Sequence, residues 1–123
     1  MKVKRKPIPK DVRQKVYDKF KGHCAYCGCE LKYKDMQVDH FLPIAGVEWG
    51  KYKIEQIECF ENYFPACRMC NYAKRCQTIE SFRRELGKIL GRLEKTFIYR
   101  LAKKYNLIQE LPHKIVFYYE KNS

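Results

Sequence analysis

Apolar residues recur every four positions near the start of the chain, at Val12, Val16 and Phe20, with lysine and arginine on the remaining faces. This spacing predicts a short amphipathic helix over 11–21. Two prolines in the preceding segment, 1–9, favour an extended basic arm because proline and the residue before it disfavour helix.

A run rich in β-branched and aromatic residues, Gln-Val-Asp-His-Phe-Leu at 37–42, predicts a strand. Pro43 is expected to end its pairing because proline has no amide hydrogen to donate. Side chains alternate between the two faces of a strand, so His40 is expected on the face opposite Asp39.

The second half of the chain has helical periodicity. A helix is predicted from Asn71, and Thr78 is a candidate N-cap for a long second helix. Its apolar stripe is expected to be core, although Gly87 and Gly91 weaken the helix. The stripe consists of Ile79, Phe82, Leu86, Ile89, Leu90, Leu93, Phe97 and Leu101. An apolar and aromatic segment over 114–121 predicts a closing edge strand. Together these elements indicate the α+β class.

The distribution of charge along the chain indicates a polyanionic partner. The 123 residues carry a net charge of +12, with nine Lys/Arg in 1–22 and eleven in 67–104, whereas 35–61 holds six acidic residues and two lysines. Two basic surfaces flanking an acidic middle suggest nucleic acid, with a merely solvated face as the alternative. No apolar run approaches the roughly 18 residues of a membrane span, and no signal peptide is evident, so a reducing cytoplasm is expected.

Four of the seven cysteines form two matched pairs, Cys24-x-x-Cys27 and Cys67-x-x-Cys70. Such pairs can build a tetrahedral four-thiolate zinc site, whose closed coordination sphere is structural and not catalytic. Gly28 suits the tight turn after the first pair because glycine readily takes positive φ. The alternatives are core or disulfide cysteines. The leftover cysteines are Cys29, Cys59 and Cys76, of which Cys29 is near enough to the first pair to compete as a ligand.

Three segments accompany these pairs in a fixed order. They are Val38-Asp39-His40 with Pro43, then Glu61-Asn62, and then Asn71-Tyr-Ala-Lys74 directly after Cys70, the last cysteine of the two pairs. Together with the cysteine pairs they resemble the HNH endonucleases of the ββα-metal type. The similarity is to the subfamily that is framed by four zinc cysteines and has Asn in the final motif position. It covers about 10–85 of a single domain spanning 1–123, and leaves 86–123 as a C-terminal extension.

The resemblance implies a ββα-metal (His-Me finger) core stapled by a four-cysteine zinc site, with an N-terminal helix and a C-terminal helical extension plus a short strand. It assigns His40 as general base, and Asp39 and Asn71 as ligands of a catalytic Mg²⁺ or Mn²⁺. Asn62 takes the structural role of holding the His40 strand in place. A neutral imidazole can accept a proton from water at physiological pH, and a hard cation prefers oxygen ligands.

DNA is the expected substrate, with RNA as the other candidate, and one site per monomer predicts nicking. The residues expected to contact phosphates are Lys4, Arg5, Lys6, Arg68, Lys74 and Arg75. Two other classes remain open. One is a zinc-stabilised nucleic-acid-binding module that does not cut. The other is a protein-interaction module that uses the acidic loop around 54–61, inside a larger phage or defence assembly. The partners considered besides DNA are a second copy of the chain, as a homodimer, and such a larger complex.

Overall fold

The computed structural model describes residues 7–111 and 113–122. The expectations for Lys4, Arg5 and Lys6 therefore lie outside the described residues. In chain order the helices are α1 (Lys10–Lys19), α2 (Ala45–Glu48), α3 (Ile54–Ile57), α4 (Arg68–Lys74), α5 (Ile79–Gly87), α6 (Ile89–Leu93), α7 (Phe97–Lys104) and α8 (Tyr118–Lys121). The strands are β1 (Gln37–His40) and β2 (Tyr63–Ala66), and short 3₁₀ helices lie at Tyr33–Asp35 and Phe60–Asn62.

The two strands form an antiparallel sheet in which Gln37 lies opposite Ala66 and His40 lies opposite Tyr63. Helix α4 packs against β1, and α1 packs against β2. The protein is therefore a small α+β protein, as the sequence predicts, with α2 and α3 between its two strands and α4 directly after β2.

The predicted N-terminal helix is confirmed as α1, and its contact with β2 explains its position. Val16 is fully buried, and the ring of Phe20 lies 5.7 Å from that of Phe64. The ammonium of Lys19 donates to the carbonyl of Tyr63 at 2.7 Å and to that of Phe60 at 2.9 Å. A lysine at the end of α1 thus satisfies one carbonyl of the 3₁₀ helix at Phe60–Asn62 and one at the start of β2.

The chain divides into two compact units, one of which is formed by the residues up to Ile79 together with those from Val116 onward. The other unit is Glu80–Ile115. The single-domain boundaries expected from the sequence stay a prediction.

The prediction of one long helix after Thr78 is wrong, because α5, α6 and α7 are separate. Helix α5 ends at Gly87, and α7 begins where the hydroxyl of Thr96 accepts a hydrogen bond from the Tyr99 amide. The expected core stripe is wrong for the same reason, since three short helices do not hold one continuous apolar face. Phe82 is buried at 2% exposure, but Phe97 is 70% exposed.

The predicted edge strand over 114–121 is also wrong, because its last residues form α8. The Glu120 carboxylate accepts from the Phe117 amide and caps this helical turn. The next two amides, of Tyr118 and Tyr119, donate to the carbonyls of Tyr26 and Ala25. These bonds, and the burial of Phe117, tie the segment to the loop that carries the first cysteine pair.

Candidate metal centre and adjoining cavity

The two cysteine pairs converge on one point. The sulfurs of Cys24, Cys27, Cys67 and Cys70 all lie within 4.8 Å of one another, and those of Cys27 and Cys67 are 3.9 Å apart. Ligands of a tetrahedral zinc at about 2.3 Å from the metal would be about 3.8 Å apart. The group could therefore hold a metal ion, and its donor set is compatible with structural zinc.

Hydrogen bonds of the backbone hold the cysteine sulfurs in position. The first pair sits in a tight loop closed by hydrogen bonds from the Gly28 amide to the Cys24 carbonyl and from the Cys24 amide to the Cys29 carbonyl. Gly28 has φ +81°, and a Cβ there would come within 2.7 Å of the Tyr118 ring. Both facts require glycine, as the sequence indicates.

The second pair starts helix α4. Cys67 is the N-cap, and its sulfur accepts from the Cys70 amide at 3.4 Å. The sulfur of Cys24 accepts from the Cys67 amide at 3.4 Å, so backbone donors surround the group. A hydrogen bond from Cys70 lowers the pKa of Cys24 to about 4 despite burial, and the same bond raises the pKa of Cys70. The centre thus favours a thiolate at Cys24, the form that binds metal.

All seven cysteines lie within the described residues and are free thiols, so none is in a disulfide. Cys29 is exposed and lies outside the four-sulfur group. The observed geometry therefore favours the C-x₂-C ligand set over a set that includes Cys29.

A cavity of about 250 Å³ is lined by residues of β1 and α4 and of the loop after β1. The described residues that line it are Val38, Asp39, His40, Pro43, Ile44, Asn71, Arg75 and Cys76. Three of the four predicted catalytic residues, namely Asp39, His40 and Asn71, are brought together here. The space is large enough to admit a phosphate group together with water.

The Asp39 carboxylate is buried, and one of its oxygens has two partners. Its Oδ2 accepts from the hydroxyl of Tyr26 at 2.5 Å and pairs with the ammonium of Lys74 at 2.9 Å. Burial, reinforced by the neighbouring carboxylate, raises the pKa of Tyr26, so its hydroxyl stays a donor. The second oxygen, Oδ1, has no hydrogen-bond partner among the described residues.

The burial of Lys74 contradicts the prediction that its side chain contacts a DNA phosphate. It is fully buried, and besides Asp39 it donates to the carbonyls of His40 at 3.0 Å and Phe41 at 3.2 Å. A fully buried ammonium with three internal acceptors is not available to clamp a DNA phosphate. Its function is internal, since it fixes Asp39 and the end of β1.

His40 bonds through its Nε2 atom to the carboxylate of Glu58, and both side chains are buried. The other oxygen of Glu58 accepts from the Tyr63 hydroxyl at 3.5 Å, and the Tyr63 ring lies edge-on to the imidazole. The imidazole is thus held from the side of α3 and β2.

Asn62 lies outside the cavity lining and bridges two segments behind it. Its Oδ1 accepts from the Leu42 amide at 2.7 Å, and its Nδ2 donates to the carbonyls of Leu42 at 3.1 Å and Ile57 at 3.0 Å. These are the kind of bonds expected of a residue that holds the His40 strand in place.

Asn71 lies one residue after Cys70 on α4, and its Nδ2 donates to Gln37 Oε1 at 2.5 Å. This bond turns the amide nitrogen toward β1 and leaves the amide oxygen as the group able to bind a cation. Arg68 and Arg75 are exposed, and Arg75 lies over the Tyr72 ring at 5.3 Å with φ +53°. Both arginines are accessible to a phosphate backbone.

Sequence reasoning missed Glu58 and Tyr26 as partners of the site residues. In the sequence Glu58 is only one of the six acidic residues of 35–61. No local pattern connects it to a histidine eighteen positions earlier. Tyr26 offered a weak signal, since a large aromatic between two paired cysteines must pack close to them.

No protein-family model matches the chain, and no curated protein matches it. Within residues 7–111 and 113–122, no helix combines the length and apolar character that crossing a bilayer requires.

Proposed function

We propose that this protein is a metal-dependent endonuclease of the HNH, ββα-metal type, which hydrolyses phosphodiester bonds in DNA. The observation that carries the proposal is one shared cavity. Asp39, His40 and Asn71 line it together, and the last of them directly follows the four-cysteine group. A carboxylate, an amide and an imidazole around a space of phosphate size are the groups that metal-assisted phosphodiester hydrolysis uses.

In this proposal the four cysteines hold zinc as a structural ion. Asp39 Oδ1 and the Asn71 amide oxygen would hold a Mg²⁺ or Mn²⁺ ion, which supplies electrostatic stabilisation of the phosphate and its leaving oxygen when bound. His40 accepts a proton from the attacking water. Asn62 keeps the end of β1 in place through its bonds to Leu42 and Ile57.

The charge distribution supports DNA as the partner. Arg68 and Arg75 are exposed on or directly after α4, and Arg75 also lines the cavity, so cationic groups flank the site where a phosphate would lie. Lys4, Arg5 and Lys6 belong to a basic stretch of the sequence and are proposed as further phosphate contacts. Phosphate contacts of this kind position a nucleic acid without reading its sequence.

The test is cleavage of supercoiled plasmid by purified protein with added Mg²⁺ or Mn²⁺. His40→Gln should lower the cleavage rate by about 10²–10⁴-fold, the contribution of a general base, while DNA affinity and zinc content stay unchanged. The glutamine amide can still donate to Glu58, so this variant removes the base without stranding a buried carboxylate. His113→Gln, at an exposed histidine, is the matched control.

One site per monomer makes one nick, so open circles should appear before linear DNA. Cleavage by His40→Gln at the rate of the parent protein would overturn the mechanism.

One observation favours a second candidate, a zinc-stabilised module that binds nucleic acid without cutting it. The buried Lys74 ammonium lies 2.9 Å from Asp39 and opposes the binding of a cation to that carboxylate. DNA binding that weakens with salt, together with no cleavage at any concentration of Mg²⁺ or Mn²⁺, would support this candidate over the nuclease.

A further inference from the structure

The side chain of Glu58 is only 6% exposed, and one of its oxygens bonds to Nε2 of His40. Glu58 follows α3, whereas His40 ends β1, so the two come together only in the folded protein. Among the described residues that line the cavity Glu58 is absent, although His40 is present. Glu58 is therefore a partner of the imidazole that does not itself line the cavity.

This contact sets the roles of the two ring nitrogens. A carboxylate accepts hydrogen bonds, so the nitrogen facing it carries the hydrogen, and that nitrogen is Nε2. Nδ1 has no hydrogen-bond partner among the described residues. Every fully buried side-chain nitrogen or oxygen described has a partner, so Nδ1 is not fully buried. It is then the only ring nitrogen that can accept a proton from outside.

We propose that Glu58 is a positioning residue which fixes the Nε2–H tautomer of His40 and so presents Nδ1 as the proton acceptor of the site. The inference rests on the proposed function for its catalytic consequence, but the tautomer can be measured without any activity. Orientation of a catalytic imidazole by a buried carboxylate is a known way to hold the correct tautomer, and loss of that orientation lowers turnover more than binding.

The direct test is nitrogen-15 NMR of the imidazole side chains in the zinc-loaded protein. Spectra are taken in buffer alkaline enough to keep histidine neutral, and the His40 signals are assigned by their absence in His40→Gln. We expect a protonated Nε2 and an unprotonated Nδ1. Glu58→Met removes the acceptor but keeps the volume, and it should shift the signals toward a mixture of tautomers. Glu55→Met, at an exposed glutamate of α3, should leave them unchanged.

The kinetic test uses the same variants on plasmid. Glu58→Met should lower kcat by about 10–100-fold, the range for lost support of a functional histidine. KM and zinc content should stay as in Glu55→Met. A loss of this kind with an unchanged melting temperature separates positioning from a general structural role.

Two results would overturn the proposal. One is a hydrogen on Nδ1 in the parent protein, and the other is a tautomer that Glu58→Met does not change. If either occurs while His40→Gln abolishes cleavage, only this inference fails. If the tautomer responds to Glu58→Met but His40→Gln still cuts DNA, the inference about the imidazole holds and the proposed nuclease mechanism fails.

Discussion

Replacing Lys74 with methionine is the most demanding test of how the site is held together. The ammonium of Lys74 is fully buried and contacts Asp39 Oδ2 at 2.9 Å and the carbonyls of His40 and Phe41 at 3.0 and 3.2 Å. Methionine fills most of the same space but cannot donate a hydrogen bond. The variant therefore isolates the loss of the charge and its bonds.

The expected loss in the free energy of unfolding follows from the contacts that Asp39 keeps in this variant. Asp39 keeps only the Tyr26 hydroxyl as a partner, so a buried carboxylate loses its counter-charge, which costs about 3–5 kcal/mol. The total free energy of unfolding of a domain is only about 5–15 kcal/mol. At a few degrees per kcal/mol for a chain of this length, the melting temperature should fall by about 10–20 °C.

The measurement is urea unfolding and thermal melting of the metal-loaded protein, followed by circular dichroism. Lys34→Met, at an exposed lysine, is the matched control and should change the free energy of unfolding by less than about 0.5 kcal/mol. The double variant Asp39→Asn with Lys74→Met should be more stable than Lys74→Met alone, because no unpaired buried charge remains.

A loss of stability below about 1 kcal/mol for Lys74→Met would refute the reasoning, because it lies far under the cost of an uncompensated buried charge. A double variant that is less stable than Lys74→Met would also refute it, since the pair would then not be the source of the effect.

Three further predictions concern the metal, the strand end and DNA. Cys67→Ser should lose zinc and unfold, because binding free energy on the order of 10 kcal/mol or more is also folding free energy in small zinc domains; elemental analysis and melting check this, with Cys59→Ser as control. Asn62→Ala should lower the free energy of unfolding by about 2–4 kcal/mol through its lost bonds to Leu42 and Ile57, measured in urea, and an effect under about 1 kcal/mol would contradict it. The logarithm of the DNA affinity should fall linearly with the logarithm of salt concentration. Arg68→Gln and Arg75→Gln should each reduce the magnitude of this slope by about 0.9; an unchanged slope would exclude these arginines from phosphate contact.

Sequence reasoning succeeded where a local pattern carries the physics. The pairs Cys24-x-x-Cys27 and Cys67-x-x-Cys70 specify their geometry through spacing alone, and their sulfurs converge as expected. The four-residue period around Val16 also specifies α1 because one face must be buried.

It failed where distant residues decide the outcome. An apolar and aromatic segment such as the one ending at Tyr119 favours a strand locally, but its amides bond to the loop near Cys24, and Glu120 caps a helical turn instead. A lysine such as Lys74 is usually exposed at the surface. Only the folded structure shows that its ammonium lies against Asp39. The role of Glu58 could not be predicted for the same reason, because its partner His40 lies on another element.

The unit that contains the four-cysteine group is discontinuous in sequence, since Glu80–Ile115 separates its two parts. The amides of Tyr118 and Tyr119 nevertheless close onto the loop that presents Cys24 and Cys27. During synthesis on the ribosome, all four cysteines therefore emerge well before the segment that packs behind the first pair. Contacts of such long sequence separation are slow to form, because the intervening chain must first be closed into a loop. The nascent chain consequently exposes four thiols before their surroundings are complete, and with zinc as the proposed metal we expect zinc supply during translation to change the yield of folded protein.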